Sequence, residues 1–160
     1  MKKFAAISDS GKYRYLLLRR RSDDLPLMNF IMLNPSTADG HKDDPTIRRC
    51  MSFARREGYG GIAVTNLFAY RAADPKELMK AADAIGPENN AYILRQLNFG
   101  GITSCAAWGV GGCLLYRNKT VARMIKDAGA NLSCLGVTKG GYPKHPLYLK
   151  GDTPLISFGD

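Results

Sequence analysis

"LMNFIMLNPSTADGHKDDPTIRRC" (residues 27–50) predicts a strand, a polar loop and a helix in succession. Its first seven residues, LMNFIML at 27–33, are apolar at all but one position, as in a core strand covered on both faces. A polar loop follows, with Asn34-Pro35 and Asp43-Asp44-Pro45 at its corners. A helix then begins, capped by Asp43 or Asp44, with Pro45 suited to its first turn. Ile47, Met51 and Ala54, with Cys50 beside them, share its buried face, while Arg48, Arg49, Arg55 and Arg56 stay largely outside. Strand, polar loop and helix in that order belong to open α/β sheets, which bind ligands in the loops at the carboxyl ends of their strands.

Working outward, KYRYLLLRRR (12–21) alternates and predicts a strand that pairs through RSDDLP with 27–33, forming an N-terminal β-hairpin. Downstream, IAVTNLF (62–68), ITSCAAWG (102–109) and NLSCLGVT (131–138) predict three further core strands. DPKELMKAADA (74–84), GPENNAYILRQLNF (86–99) and GCLLYRNKTVARMIKDAGA (112–130) predict helices between them. KGGYPKHPLYLKGDTP (139–154) reads as an irregular basic loop, and LISF (155–158) as a short edge strand. The expected architecture is one α/β domain over 1–160, a three-layer αβα sandwich with a mainly parallel central sheet.

The chain has 160 residues, 45% of them hydrophobic, which is enough for a real core. No apolar run is long enough to cross a bilayer or to serve as a signal peptide, so a cytoplasmic location is expected. Cys50, Cys105, Cys113 and Cys134 form no CxxC pair and read as small hydrophobic side chains. With only His41 and His145, zinc-type spacing is lacking, and no metal or cofactor is expected. The net charge is +9. Residues 2–21 and 117–150 each hold seven Lys or Arg against one Asp, whereas 22–116 hold nine basic and ten acidic residues. Basic ends folded together would give the cationic face that a phosphate backbone requires; two separate solvated surfaces explain the same count.

Polar clusters follow the four core strands: Asn34-Pro35-Ser36-Thr37, then Asn66 with Tyr70-Arg71, then Trp108-Gly109, then Lys139 through Leu149. In a parallel sheet all four meet at one edge, with Asp39, Asp43 and Asp44 nearby. Amides, hydroxyls, an aromatic ring, an imidazole and cations around one cleft suit a small planar polar ligand attached to phosphate. Each residue also has a structural explanation. Asn34 can cap a turn, Asp43 and Asp44 a helix, and Asn66 the end of a strand. Trp108 can be core packing and His145 a surface side chain. The GVGG at 109–112 lacks the lysine and spacing of a phosphate loop, so no ATPase is expected.

LNPSTAD, DDPTIRRC, GYGG, TNLFAYRAADP, GPEN, AAWG and LGVTKGGYPKHPLYL together resemble a family of small phage and bacterial proteins of unassigned function. More loosely, the same landmarks are similar to the uracil-DNA glycosylase superfamily, which implies the fold given above. In that group an Asn-Pro or Asp-Pro pair follows the first core strand, an Asn closing the second reads the base edge, and a His-Pro loop follows the last. Asn34-Pro35, Asn66 and His145-Pro146 match in that order. The chain departs from the pattern at Asn34, where many relatives carry an acid, and at Leu147, where serine is usual. The resemblance implies a DNA-binding protein acting on an extruded pyrimidine, modified or single-stranded DNA included, as a glycosylase or as a base-modifying transferase. Catalytic roles would fall to Asn34, His145, Asp39 and Asp44. Asn66 would bind the base edge, with Phe68, Tyr70 or Trp108 stacking on the ring. Arg71, Lys139, Lys144, Arg19 and Arg20 would grip phosphates, and Leu147 and Tyr148 would fill the gap in the duplex. The alternative is a non-catalytic module that uses the same pocket for a nucleotide or nucleotide signal.

Overall fold

The computed structural model describes residues 1–97 and 104–159. Seven strands form one sheet: β1 (Lys2–Ile7), β2 (Arg14–Arg20), β3 (Met28–Met32), β4 (Gly61–Asn66), β5 (Ser104–Ala106), β6 (Leu132–Cys134) and β7 (Ile156–Phe158). Their spatial order is β1-β2-β4-β3-β5-β6-β7. The helices are α1 (Pro45–Arg56), α2 (Asn89–Arg95) and α3 (Arg117–Asp127), with 3-10 turns at Pro75–Lys80, Val110–Tyr116 and Pro146–Tyr148. The expected start of β5 at 102–103 and the expected end of the second helix at 98–99 lie outside the described residues.

The expectation of a mainly parallel sheet needs correcting. β4, β3, β5 and β6 run parallel. The flanking pairs β1–β2, β2–β4 and β6–β7 are antiparallel, so the seven-stranded sheet is mixed. The parallel centre is where β3 and β4 are buried along their whole length. The edges are wetter, and β1 carries Lys2 and Lys3, which discourage pairing with another chain.

The hairpin also has different partners from those expected. β2 pairs with β1, Phe4 opposite Leu18, and not with β3. β4 lies between β2 and β3, with Leu17 opposite Val64 and Phe30 opposite Val64 from the other side. Residues 21–27 therefore cross two strand spacings of about 4.8 Å each. They do so around the start of β4, where Arg21 and Ser22 donate to Gly60 O and Gly60 N donates to Pro26 O. A Cβ at Gly60 would lie 2.7 Å from Ser22 O, and one at Gly61 only 2.0 Å from Arg19 O. Only glycines let the loop pass so closely.

Side-chain alternation divides the core. Met28, Phe30, Met32, Ile62 and Val64 pack with Ile47, Cys50, Phe53 and Ala54 of α1. Ile31 and Ala106 pack with Ile93 of α2 and Val121 and Ile125 of α3. Asp44 Oδ1 accepts from Ile47 N at 2.9 Å, which identifies Asp44 as the cap of α1. Met51 is only partly buried, and Phe53 takes the place expected for it. Among the described residues, no helix is long and apolar enough to cross a membrane.

Candidate functional site

Because β3, β4, β5 and β6 are parallel, their carboxyl ends share an edge of the sheet. A cavity of about 200 Å3 opens there, lined among others by Asn34, Asn66, Trp108, His145, Asp44 and Arg14. Residues separated by more than a hundred positions in the chain thus enclose one hollow. A cavity of roughly 150 Å3 accommodates benzene, so this one suits a single six-membered ring with substituents, not a dinucleotide. A larger hollow of about 520 Å3 lies against α3 and β7. It shares Trp108 with the smaller one but lacks Asn34, Asn66 and His145.

Asn66 ends β4 and is 1% exposed. Its backbone is fixed: Asn89 Nδ2 donates to Asn66 O at 2.9 Å, and Leu67 N donates to Met32 O. Neither Nδ2 nor Oδ1 of its side chain has a partner among the described residues. A buried polar group left unpaired costs about 1–3 kcal/mol. Asn66 is among the residues that line the cavity, and its amide keeps both a donor and an acceptor unused. Trp108 Nε1 is likewise buried and unpartnered. Its ring stands edge-on to Phe158 at 5.8 Å. A Cβ at Gly112 would lie 2.2 Å from Trp108 Cδ1, so the glycine turn makes room for the indole.

The His145 Nδ1 accepts from Leu147 N at 3.2 Å. Burial lowers the imidazole pKa below its usual value, with the charge of Asp44 opposing the shift. Near pH 7 the ring is therefore neutral and carries its proton on Nε2, as a donor. The loop that bears it is more ordered than its composition suggests: Val137 bridges Pro143, Lys144 N donates to Gly136 O, and Gly109 N donates to Pro143 O.

Asn34 is half-buried and donates from Nδ2 to Ala72 O at 2.8 Å and Pro35 O at 3.0 Å. Both partners are carbonyls, so the amide orientation is fixed and Oδ1 is what the side chain has left to offer.

Other candidates stand apart from the cavity wall. Phe68 is fully buried in the core with Leu67 and Ile93. Tyr70 packs edge-on against Tyr13 at 6.1 Å. Asp39 Oδ1 accepts from the backbone of His41 and Lys42, and these bonds hold its carboxyl below the usual range. Arg19 is fully buried and pairs with Asp43 at 2.6 Å while donating to Leu18 O, Asp39 O and Lys42 O. Arg20 lies opposite Gly61, where β4 begins, and donates to Ser22 O and Leu25 O. Arg71 donates to Gly11 O at 3.3 Å. Lys139 and Lys144 are exposed on the loop that leads to His145. Leu147 and Tyr148 follow it in a single turn, Tyr148 at 86% exposure.

Sequence reasoning missed Arg14, which lines the cavity at 3% exposure. An arginine opening an apolar strand looks like an edge residue until β2 is known to run antiparallel beside β4. That direction places the start of β2 at the rim where the parallel strands end. Among the described residues, no cluster of three His, Cys, Asp or Glu side chains is placed to hold a metal ion.

Residues 14–147 match the model of a family described as a protein of unknown function, DUF1643. No curated protein and no solved structure matches the chain.

Proposed function

Since the chain belongs to the DUF1643 family, whose description assigns no reaction, the cavity has to supply the function, and we propose that it receives one pyrimidine-type base extruded from DNA. The observation that carries this is the Asn66 amide, with donor and acceptor both unpartnered in a ring-sized hollow. A pyrimidine offers an adjacent carbonyl and ring N–H, which together would satisfy both. Trp108 beside it provides an aromatic surface, and stacking contributes roughly 1–3 kcal/mol per base. Extrusion costs a few kcal/mol, which those contacts offset.

The landmarks' resemblance to the uracil-DNA glycosylase superfamily supports the same reading, as does a parallel sheet centre with α1 in one core and α2 and α3 in the other. In glycosidic cleavage negative charge develops on the departing base and positive charge on the sugar. His145, neutral with a proton on Nε2, would donate to a base oxygen as charge builds there. Asn34 Oδ1 would orient a water, and Asp44 is the carboxylate at the cavity to take its proton. Lys139, Lys144 and Arg71 would hold phosphates, and exposed Tyr148 would fill the vacated stack.

The second reading is a nucleotide-binding module without turnover. It is favoured by Asn34, an amide where an acid would activate water, and by its Nδ2 being tied to Ala72 O. Incubation with oligonucleotides carrying uracil, 5-hydroxymethyluracil and other modified pyrimidines separates the two. Abasic sites or a changed base mass, lost in Asn66→Ala, support an enzyme. Tight nucleotide binding with no product supports the module, and neither outcome across the panel removes the nucleobase reading.

A further inference from the structure

β2 carries two buried arginines, and they are treated differently. Arg19 Nε, Nη1 and Nη2 all donate, one of them to the Asp43 carboxylate at 2.6 Å. Arg14 Nη1 donates to Ala38 O at 2.9 Å, which ties the loop after β3 to β2. Its Nε is buried with no partner, and among the described residues no carboxylate lies within 4.0 Å of its guanidinium. Asp44 is the strongest of the opposite charges acting on it, at longer range. Burial lowers the Arg14 pKa to about 10, so the side chain remains a cation at neutral pH. A buried charge without a paired counter-charge is costly unless something bonded to it compensates.

We propose that Arg14 makes the cavity a receptor for an anionic group on its ligand, a phosphate or a carboxylate borne by the nucleoside. An unpartnered N–H in a planar fork fits an anionic oxygen, and such charge-assisted bonds are about twice as strong as neutral ones. Arg14 lines the same hollow as Asn66, so the ring edge and the anion are read by opposite kinds of group: an amide for the one, a guanidinium for the other. The identity of the ring rests on the function proposed above; the preference for an anion does not.

Trp108 is the only tryptophan in the chain and lines this cavity and the larger one, so its emission reports on binding and the Arg14 variants assign the signal to this cavity. The intact protein is titrated with uridine, uridine 5′-monophosphate, 5-carboxyuridine and inorganic phosphate. At least one anionic nucleoside binds tenfold or more tightly than uridine, and which one shows whether the charge sits on the sugar or on the ring. Arg14→Gln abolishes the preference and Arg14→Lys retains part of it. If neither nucleoside series binds but inorganic phosphate binds in an Arg14-dependent way, the anion site stands and the nucleobase reading fails. If all three nucleosides bind equally to the wild-type protein, the anion site is overturned while the base pocket survives. Silence from every ligand, or an unchanged preference in a folded Arg14→Gln variant, also overturns it. Should Arg14→Gln fail to fold, the wild-type comparison and Arg14→Lys decide the matter.

Discussion

Asn34 Nδ2 donates to Ala72 O at 2.8 Å, and Ala72 N in turn donates to Pro35 O at 3.1 Å, which locks the loop after β3 to the loop after β4. A residue matched to a catalytic position thus also holds together two sides of the cavity. Asn34→Ala removes both side-chain bonds, each worth about 0.5–1.5 kcal/mol. The variant should melt some 2–12 °C lower, with each kcal/mol worth about 2–4 °C in a chain of this size. Thermal unfolding followed by circular dichroism measures this. An unchanged melting temperature would mean that the tether carries no load.

Asn66 predicts the reverse. Its side chain gains nothing from the protein around it, so Asn66→Leu, similar in volume, should stabilise the unliganded chain by about 1–2 kcal/mol. Ligand binding should fall at least tenfold in the same variant. Urea unfolding combined with a binding titration tests both halves, and a destabilised Asn66→Leu would show that the amide has a structural role after all.

His145 makes stability depend on pH. Its pKa is lowered by burial, so below about pH 6.5 the unfolded chain takes up a proton that the folded one resists. Stability from this group is complete above the unfolded value and declines as pH falls from there toward the lower folded value. Melting temperatures of wild type and His145→Gln should therefore converge between pH 7 and 5. Parallel curves across that range would contradict a buried neutral imidazole.

Arg19 separates structure from recognition. Arg19→Ala removes the buried partner of the Asp43 carboxylate, which keeps Lys3 at 3.6 Å, and a lost hydrogen bond to a charged group costs about 1.5–3 kcal/mol. The loss should appear in urea unfolding, with the anion preference assigned to Arg14 intact in the folded fraction.

Lys139 and Lys144 report on DNA. If each neutralises one phosphate, the double alanine variant should flatten the dependence of log affinity on log salt by about 1.8, at roughly 0.9 per contact. Gel-shift titrations at several salt concentrations give the slope, and an unaltered slope removes both lysines from the interface.

Much of this site was legible in the sequence because parallel strands are easy to recognise. IAVTN and NFIML are nearly continuous apolar runs, and once they are parallel, the residues just beyond them must meet. That logic brought Asn34, Asn66 and His145 together. It could not rank the aromatics, because whether Phe68 or Trp108 faces the hollow depends on how the chain turns after the strand ends. Nor did it find β1: KKFAAI is an exposed edge strand whose pattern shows no buried face. The pairing of β2 with β4 was hidden for another reason. RSDDLP reads as a hairpin turn, and only Gly60 and Gly61, far along the chain, reveal that something passes through the gap.

That passage sets an order of assembly. The strand that sits third from the edge is synthesised only after both of its neighbours. Until residue 66 has been synthesised, β2 and β3 must keep a seam open, their unsatisfied amides and carbonyls exposed. A premature zip between them would have to be undone before the rim of the cavity could form, so pairing of β2 with β3 competes with the native sheet until β4 is in place.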